Sequence, residues 1–555
     1  MIHTRMTLSE AFQQVAERQP AKEALLCGEV RLTYGQLAQQ VASLAYGLAT
    51  LGINPGDRVV LLLYNSPQFV TAFFALAMIG AVSVPLNPQL RHRQLEHILR
   101  ECEPTAVLLS DSSGMSEAVQ TVREAQQALP ALRHLIFTEG GTETDQRLDA
   151  LMAATPPPTF SPPAVKPEDL LTLLYTSGTT GMPKGAMHSH RGLIAPVVAS
   201  IKLREMWLKM PTPKTAARMA KVLARYGPRL LKAAGRQQVF LSTVGCHAIA
   251  GLEAMLQAML MGDKLILMPR FHPLEALQLI EKERVTVLIA VPMTLMVLMR
   301  VKDLDRYDTS SLLICGTGSA PCPAELARDI RQRLGCAVHI GFGTTELAGG
   351  VSATSIEDSD EQQAETVGQA MPGMEVKIVD EQGQEVAPGN VGELLCRGES
   401  VMLGYYRAPE ATAEVVDEEG WYHTGDLVVM DERGYLRIVG RKKDMIIRGG
   451  QNIYPIEIEN YLQAHPQIKE AAVVGVPAAI GGEEVWAFLI LEDEAEMTVQ
   501  EVLEYCRLGM EVYKIPHQVR FVQDFPRSAL GKPQKFKLRE MALESEQGKQ
   551  GRADR

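Results

Sequence analysis

Apolar and polar positions fall along the first half of the chain in blocks rather than singly. The continuous apolar run "RVVLLLY" (58–64) predicts a buried strand, "SPQFVTAFFALAMIG" a helix, "AVSVPL" a second strand, "RQLEHILREC" an amphipathic helix and "AVLLS" a third strand. Strands apolar on both faces and spaced by helices predict βαβ units and a parallel sheet covered on both sides. The layout repeats from Lys264, where "KLILM", the helical "PLEALQLIEKER", "TVLIAVP" and "SLLICGTGSA" follow in turn, so two α/β subdomains are expected. From about Val376 short strands with turn signals, "VKIVDEQGQEV", "GELLCRG" and "YLRIVGR", predict a small β-rich module.

One block, Phe69 to Leu86, is long and apolar enough to pass for a membrane span. Gly80 divides it into an Ala/Phe/Met-rich half and a β-branched half ending near a proline, which predicts helix, turn and buried strand within a core instead. Around "GRKKDMIIRGGQNIYP" charge and glycine take over, followed by the helix "PIEIENYLQAH" and the strand "EAAVVGV". The expected architecture is α/β. A large N-terminal domain, 1–442, holds two α/β subdomains and the β-rich module; a small α+β C-terminal domain spans 443–540. Residues 541–555 lack periodic apolar positions and are expected to be a disordered tail.

Composition narrows this picture without redirecting it. The 555 residues are 46% hydrophobic and 22% charged, ordinary for a globular protein of more than one domain, and the formal charge of −11 argues against nucleic acid as a partner. The N-terminus lacks the order of a secretory or transit signal, so a cytoplasmic location is expected. Eight cysteines include no CxxC pair, which favours buried thiols over a zinc site or disulfides.

Candidate chemistry begins at "YTSGTTGMPKGAMHSH" (175–190). Gly178, Gly181 and Gly185 allow backbone N–H groups to approach an anion, Thr176, Ser177, Thr179 and Thr180 add donors, and Lys184 adds charge. The set suits a polyphosphate. Met182 and Pro183 stand between glycine and lysine, so it is not a P-loop. Read alone, a functionless Gly/Ser/Thr turn is an even alternative.

The stretch is similar to the phosphate-binding signature of the adenylate-forming superfamily, which includes acyl-CoA synthetases, amino-acid-activating domains and beetle luciferases. "GTGSAP" (316–321), "GFGTTE" (341–346), "YHTGD" (422–426), "GRKKDMIIRGGQNIYPIEIE" (440–459) and "PRSALGKPQK" (526–535) come after it in that family's order, and the likeness runs from about Leu8 to Lys537. It implies two half-reactions: a carboxylic acid and ATP give an acyl-adenylate and pyrophosphate, then a thiol displaces AMP. Thr176 to Lys184 would grip the β and γ phosphates, Glu346 would hold Mg²⁺, and Thr345 would contact the α-phosphate. Gly316, Gly318, Ser319, Ala320, Gly341 and Phe342 would surround adenine; Asp426 would accept the ribose hydroxyls, with Arg441 nearby. Lys532, on a movable small domain, would neutralise charge during adenylation. Lys443 would be the hinge about which Gly449 and Gly450 swing in to line the path of the coenzyme A thiol.

Two segments depart from the pattern. In "FLSTVGCHAIAGL" (240–252), Gly245 and Cys246 precede His247 where the family has proline and an aromatic. His247 and Cys246 would line the acyl pocket or gate the thiol tunnel, with a satisfied core histidine as the alternative. No acidic residue stands beside this motif to capture an amino group, which counts against an amino acid substrate. The apolar "TVLIAVPMTLMVLM" (286–299) suits an acyl site or simply core. Between loop and histidine, Lys214, Arg218, Lys221, Arg225, Arg229, Lys232 and Arg236 share one helical face, which reads as a solvated face or as a peripheral contact with an anionic membrane. The expected function is an ATP-dependent acid–CoA ligase, with a medium- or long-chain fatty acid favoured. An aromatic or alicyclic acid, a carrier protein as acceptor, a noncatalytic relative and a homodimer all remain open.

Overall fold

The computed structural model describes residues 2–112, 115–176, 182–208, 220, 222–227, 235–448, 451–478, 482–527 and 532–553. It divides into two compact units, Met1–Val376 with Cys396–Tyr422, and Lys377–Leu395 with His423–Arg555.

Two large sheets organise the first unit. An eight-stranded sheet runs Gly404–Tyr405, Lys184–Ser189, Leu170–Thr176, Val82–Pro85, Arg58–Leu62, Ala106–Leu109, His134–Phe137 and Gln146–Arg147; its strands from Leu170–Thr176 onward pair in parallel. A nine-stranded sheet has the parallel order Ala337–Thr344, Ile314–Thr317, Val287–Ile289, Val239–Ser242, Lys264–Leu267 and Glu23–Cys27 at its centre, with antiparallel strands at both edges. Helices Leu8–Arg18, Tyr34–Thr50, Pro67–Ile79 and Ile249–Met261 contribute to a core that also holds Val59 and Leu61 of one sheet and Leu25 and Leu265 of the other. They form a shared layer between the sheets. Separate clusters cover each outer face.

The segment that passed for a membrane span belongs to that shared layer. Ser66 caps the helix through its side chain, Pro67 occupies the first turn, and every residue from Phe69 to Ile79 is buried. Gly80 ends the helix at φ 71°, and Val82–Pro85 then pairs in parallel with Arg58–Leu62. Phe74 stacks on Phe12 at 4.4 Å between centroids, and the Tyr34 hydroxyl donates to the Asp263 carbonyl at 2.6 Å. Emptying one such aromatic position costs about 3–5 kcal/mol. No helix among the described residues is long and apolar enough to cross a membrane.

The second unit carries a four-stranded sheet, in the order Met374–Val379, Val391–Gly398, Tyr422–Met430, Leu436–Arg441, and a three-stranded sheet of Ile468–Pro477, Glu483–Leu491 and Gln518–Phe521. The boundary expected at 442/443 therefore falls inside this unit. A hairpin aligns Asp426 with Arg441, and Lys442 pairs with Glu393 at 2.9 Å, which ties the β-rich module to the start of the C-terminal segment. A helix spans Lys535–Ala553 and runs into the stretch read from sequence as a tail. Leu538 and Ala542, one turn apart, are wholly buried in the cluster of Trp486 and Phe488, and that burial organises a sequence with little apolar periodicity.

Candidate active site

Within the first unit the glycine-rich loop joins two antiparallel strands, Leu170–Thr176 and Lys184–Ser189, so that Thr176 faces Lys184 at the base of a hairpin. Ser177, Gly178, Thr179, Thr180 and Gly181 lie outside the described residues. The Lys184 ammonium sits 5.4 Å from the centre of the Tyr405 ring. The Tyr405 hydroxyl in turn donates to Glu346 Oε1 at 2.9 Å. Burial, followed by the charge of Glu346, pushes the phenol's pKa up, so Tyr405 keeps the proton that it donates. One aromatic side chain thus links the candidate phosphate lysine to the candidate magnesium carboxylate.

Glu346 and Thr345 occupy a short 3₁₀ turn, Thr345–Leu347, at the end of the strand Ala337–Thr344. The turn is fastened from two sides. Met402 N donates to the Glu346 carbonyl at 2.8 Å, and His188 Nε2 reaches the Thr345 carbonyl at 2.7 Å. A carbonyl only accepts, so His188 carries its proton on Nε2. Burial pushes this imidazole down to about 4, which keeps it neutral at ordinary pH. Among the described residues no group of three or more His, Cys, Asp or Glu side chains is placed to hold a metal. A single carboxylate such as Glu346 fits magnesium, which takes its other ligands from phosphate oxygens and water.

The adenosine candidates gather at the carboxyl ends of two neighbouring parallel strands, Ile314–Thr317 and Ala337–Thr344, where open α/β sheets place their ligands. Gly318 passes so near Gly341 that a Cβ would come within 2.7 Å of the Gly341 carbonyl. Ser319 adopts φ 65°, Ala320 follows, and Phe342 is half-buried opposite Ser352. Gly316 meets Ile289 in the adjoining strand. The structure therefore brings these six positions to one sheet end.

Cys246 and His247 part company. Cys246 is buried in the central core, its N–H donating to Asn65 Oδ1 at 2.8 Å and its thiol pushed up to about 12 by burial. At this position it packs within the core. His247 is half-buried and pushed down to about 4 by burial, and its ring lies against Gly245, where a Cβ would sit 2.3 Å from Cε1. Glycine at 245 is what lets the ring adopt this position. The apolar segment 286–299 resolves as a strand and the helix Pro292–Met299, with Leu295, Leu298 and Met299 packed in an outer core.

The expectation that no acidic residue stands beside the 240–252 motif fails at the next position, which is Glu253. Glu253, six residues beyond His247, accepts from Gln257 Nε2 at 3.0 Å and from the Gly350 N–H, and burial raises it to about 7 against those two donors. The sequence does carry a signal for it: Glu253 and Gln257 are the only charged or amide side chains in the helix Ile249–Met261, one turn apart. Tyr405 and His188 have no local signal of their roles.

Within the second unit Asp426 and Arg441 are partners across a hairpin. Arg441 Nε donates to Asp426 Oδ1 at 2.8 Å, and the carboxylate is almost wholly buried. Burial raises Asp426, while the charges of Arg441, Lys532 and Lys443 oppose the rise, so three cations of the motif set act on one carboxylate. Burial first, then the charge of Arg441, lowers Lys443. Gly449 and Gly450 lie outside the described residues.

Of the basic face, Lys214, Arg218, Lys221, Arg229 and Lys232 also lie outside the described residues. Arg225 is committed internally: it donates to the Asp358 carbonyl at 2.6 Å, pairs with Asp360 and lies over the Tyr226 ring. Arg236 accepts through its carbonyl from Arg204.

Residues 12–406 match the model of the AMP-binding enzyme family, and residues 457–532 match that of the AMP-binding enzyme C-terminal domain. The chain is 33% identical to YngI of Bacillus subtilis (strain 168) over 98% of each protein. It is also 33% identical to the human mitochondrial medium-chain acyl-CoA ligase ACSF2, over 96% of this chain and 87% of that one. Among solved structures, the anthranilate CoA ligase AuaEII in complex with anthranoyl-AMP superposes with a TM-score of 0.83 at 25% identity, covering 98% of both chains.

Proposed function

The chain belongs to the AMP-binding enzyme family, and from that premise we propose that it is an ATP-dependent acid–CoA ligase acting on a medium- or long-chain acid. The observation that carries the reading is the Lys184–Tyr405–Glu346 chain, which places an ammonium and a carboxylate on either side of one phenol. Polyphosphate and its magnesium need that pair of charges together. In the first half-reaction the substrate carboxylate attacks the α-phosphorus, the bond to pyrophosphate breaks, and Lys184 and Thr176 stabilise the departing charge. Magnesium, held by Glu346, would supply further charge neutralisation when bound. Thr345, fixed by His188, orients the α-phosphate, and Lys532 neutralises charge between phosphate and carboxylate. In the second, a thiolate attacks the acyl carbon and AMP leaves, with Lys443 as the pivot of the change and Gly449 and Gly450 lining the thiol's path.

The medium-chain reading is supported by the name of ACSF2, and an aromatic acid by that of AuaEII. A carrier protein as acceptor is the remaining alternative. A noncatalytic relative would be expected to lack Lys532, Glu346 or Asp426, and all three are present. The test is pyrophosphate release over acids differing in chain length and ring content, with coenzyme A present or absent. Thioester formation supports the ligase, and an adenylate trapped as hydroxamate without thioester points to a carrier protein. No release with any acid refutes the proposal.

A further inference from the structure

The turn between the strand Val239–Ser242 and the helix Ile249–Met261 is held by one buried amide from elsewhere in the chain. Asn65 follows the carboxyl end of the strand Arg58–Leu62, directly before the capping Ser66, and is 5% exposed. Its Nδ2 donates to the Val244 carbonyl at 3.0 Å and to the Met268 carbonyl at 3.1 Å, and its Oδ1 accepts from Cys246 N at 2.8 Å. Both amide hydrogens and one acceptor position are thereby used. One side chain ties together the ends of three strands, one in the eight-stranded sheet and two in the nine-stranded sheet.

Holding the Val244 carbonyl and the Cys246 N–H at once fixes the peptide units on either side of Gly245. The turn is closed further by Ala248 N, which donates to the Gly245 carbonyl at 3.0 Å, and by Thr243 N, which donates to the Ile289 carbonyl at 3.0 Å. These bonds decide where two adjacent side chains go. Cys246 enters the core, and His247 is left half-buried with its ring against Gly245, where a Cβ would lie 2.3 Å from Cε1. Strand order then places the turn relative to the nucleotide. The adenosine candidates end the strands Ala337–Thr344 and Ile314–Thr317, and Val287–Ile289 and Val239–Ser242 follow along the same sheet. Two strand spacings put the His247 turn roughly 10 Å from the adenosine motif on the same carboxyl edge, beside the nucleotide rather than beneath it.

We propose that Asn65 and Gly245 are positioning residues that act through His247: the amide fixes the turn, the missing side chain admits the ring, and the ring so placed borders the carboxylic acid. The proposal rests on the ligase reading. Groups that handle a substrate need to be held to within about 0.5 Å, which supporting hydrogen bonds of this kind accomplish. Displacement by about 1 Å costs on the order of 100-fold in rate.

The experiment measures ATP–pyrophosphate exchange with octanoate, or with the fastest acid of the screen above where that is another. Acid and ATP are varied in turn for the wild type, Asn65→Ser, Gly245→Ala, His247→Ala and each of the first two combined with His247→Ala, with thermal melts in parallel. Asn65→Ser withdraws the amide from the turn and should melt lower. Gly245→Ala displaces only the end of a side chain and should melt close to the wild type. Both are expected to raise KM for the acid about tenfold or more and to leave KM for ATP within about twofold. With His247 already replaced by alanine, neither should change the acid KM further, while Asn65→Ser should still lower the melting temperature. A merely structural Asn65 would move both KM values together, and by the same factor with or without the histidine; either result overturns the proposal. So does an unchanged acid KM in Gly245→Ala, which is decisive even where Asn65→Ser fails to fold. No pyrophosphate release by the wild type with any acid overturns the ligase reading and this proposal with it.

Discussion

Gly341 and Gly343 stand on one strand and allow ligand binding to be separated from folding. A Cβ on Gly341 would approach nothing closer than the Ser352 carbonyl at 3.7 Å, whereas one on Gly343 would lie 1.7 Å from the Gly349 carbonyl oxygen. To reach 3.0 Å, the shortest distance that Cβ atoms adopt, that oxygen must retreat by about 1.3 Å, and its strand is joined directly to the Thr345–Leu347 turn. Overpacking of this kind costs about 1–3 kcal/mol. Misplacing catalytic groups by about 1 Å costs on the order of 100-fold in rate. Gly343→Ala should therefore melt lower and lose ATP–pyrophosphate exchange by about that factor. Gly341→Ala should melt at or slightly above the wild-type temperature, because alanine in a strand is favoured over glycine by about 0.5–1 kcal/mol. Its methyl group would project where adenosine is proposed to lie, so KM for ATP should rise about tenfold or more. Exchange kinetics at varied ATP, with parallel thermal melts, decide both. An unchanged KM in Gly341→Ala removes that glycine from the adenosine site, and a wild-type melt with wild-type exchange in Gly343→Ala refutes the steric argument.

Tyr405→Phe keeps the ring beneath Lys184 and removes the bond to Glu346, which contributes about 1.5–3 kcal/mol to stability, so the variant should melt lower and, with Glu346 no longer held, lose kcat/KM for ATP at least about tenfold; equal activity would detach Tyr405 from the site. Lys532→Ala should abolish adenylation yet leave thioester formation from supplied acyl-adenylate largely intact, and equal loss of both half-reactions would contradict the separate role given to Lys532. His190, wholly buried and accepting from Leu8 N at 3.1 Å, is lowered by burial from 6.5 to about 4. The unfolded chain takes up this proton first, so the stability held by neutral His190 is present above pH 6.5 and lost as pH falls towards 4. That loss amounts to about 2 kcal/mol at pH 5. Denaturant midpoints at pH 7 and pH 5 should accordingly differ less in His190→Asn than in the wild type, and an equal difference would refute the assignment. Sedimentation with anionic vesicles tests membrane contact: salt-sensitive binding should be lost on charge reversal of Arg218 and Lys221 and survive Arg225→Gln, while no binding removes the idea.

Whether a feature is legible in the sequence depends on whether its decisive contact is local. The segment Phe69–Leu86 is legible because helix, left-handed glycine and strand are each specified by neighbouring residues, and the core around them only has to accept the result. The terminal helix is not, since Leu538 and Ala542 carry meaning only beside Trp486 and Phe488, far away in the chain. The same distinction divides the site. Motif order locates Glu346, Asp426 and Arg441, but no spacing rule says that a tyrosine in "GYYRAPEAT" holds Glu346 or that His188 fixes the carbonyl of Thr345. Cys246 and His247 are adjacent in sequence and share one motif; the backbone sends one inward and leaves the other half-exposed.

Glu253 shows the limit most directly, because it directly follows the histidine motif in sequence and yet its contact with Gly350 is made across the fold. A glutamate and a glutamine one turn apart on an apolar helix normally mark its solvated face. Here that face meets Gly349 and Gly350, whose missing side chains are what give a carboxylate room against the hairpin. In sequence those glycines read as part of the turn after Glu346, and their close contact with Glu253 exists only once the helix packs there. Gly350→Ala, whose Cβ would stand 3.4 Å from Oε1 and so intrude only slightly, should fold normally, whereas Glu253→Leu, which leaves the Gly350 N–H and Gln257 without their acceptor, should melt lower by about 1–3 kcal/mol of stability. A wild-type melt in Glu253→Leu would refute the structural role of the carboxylate at this hairpin.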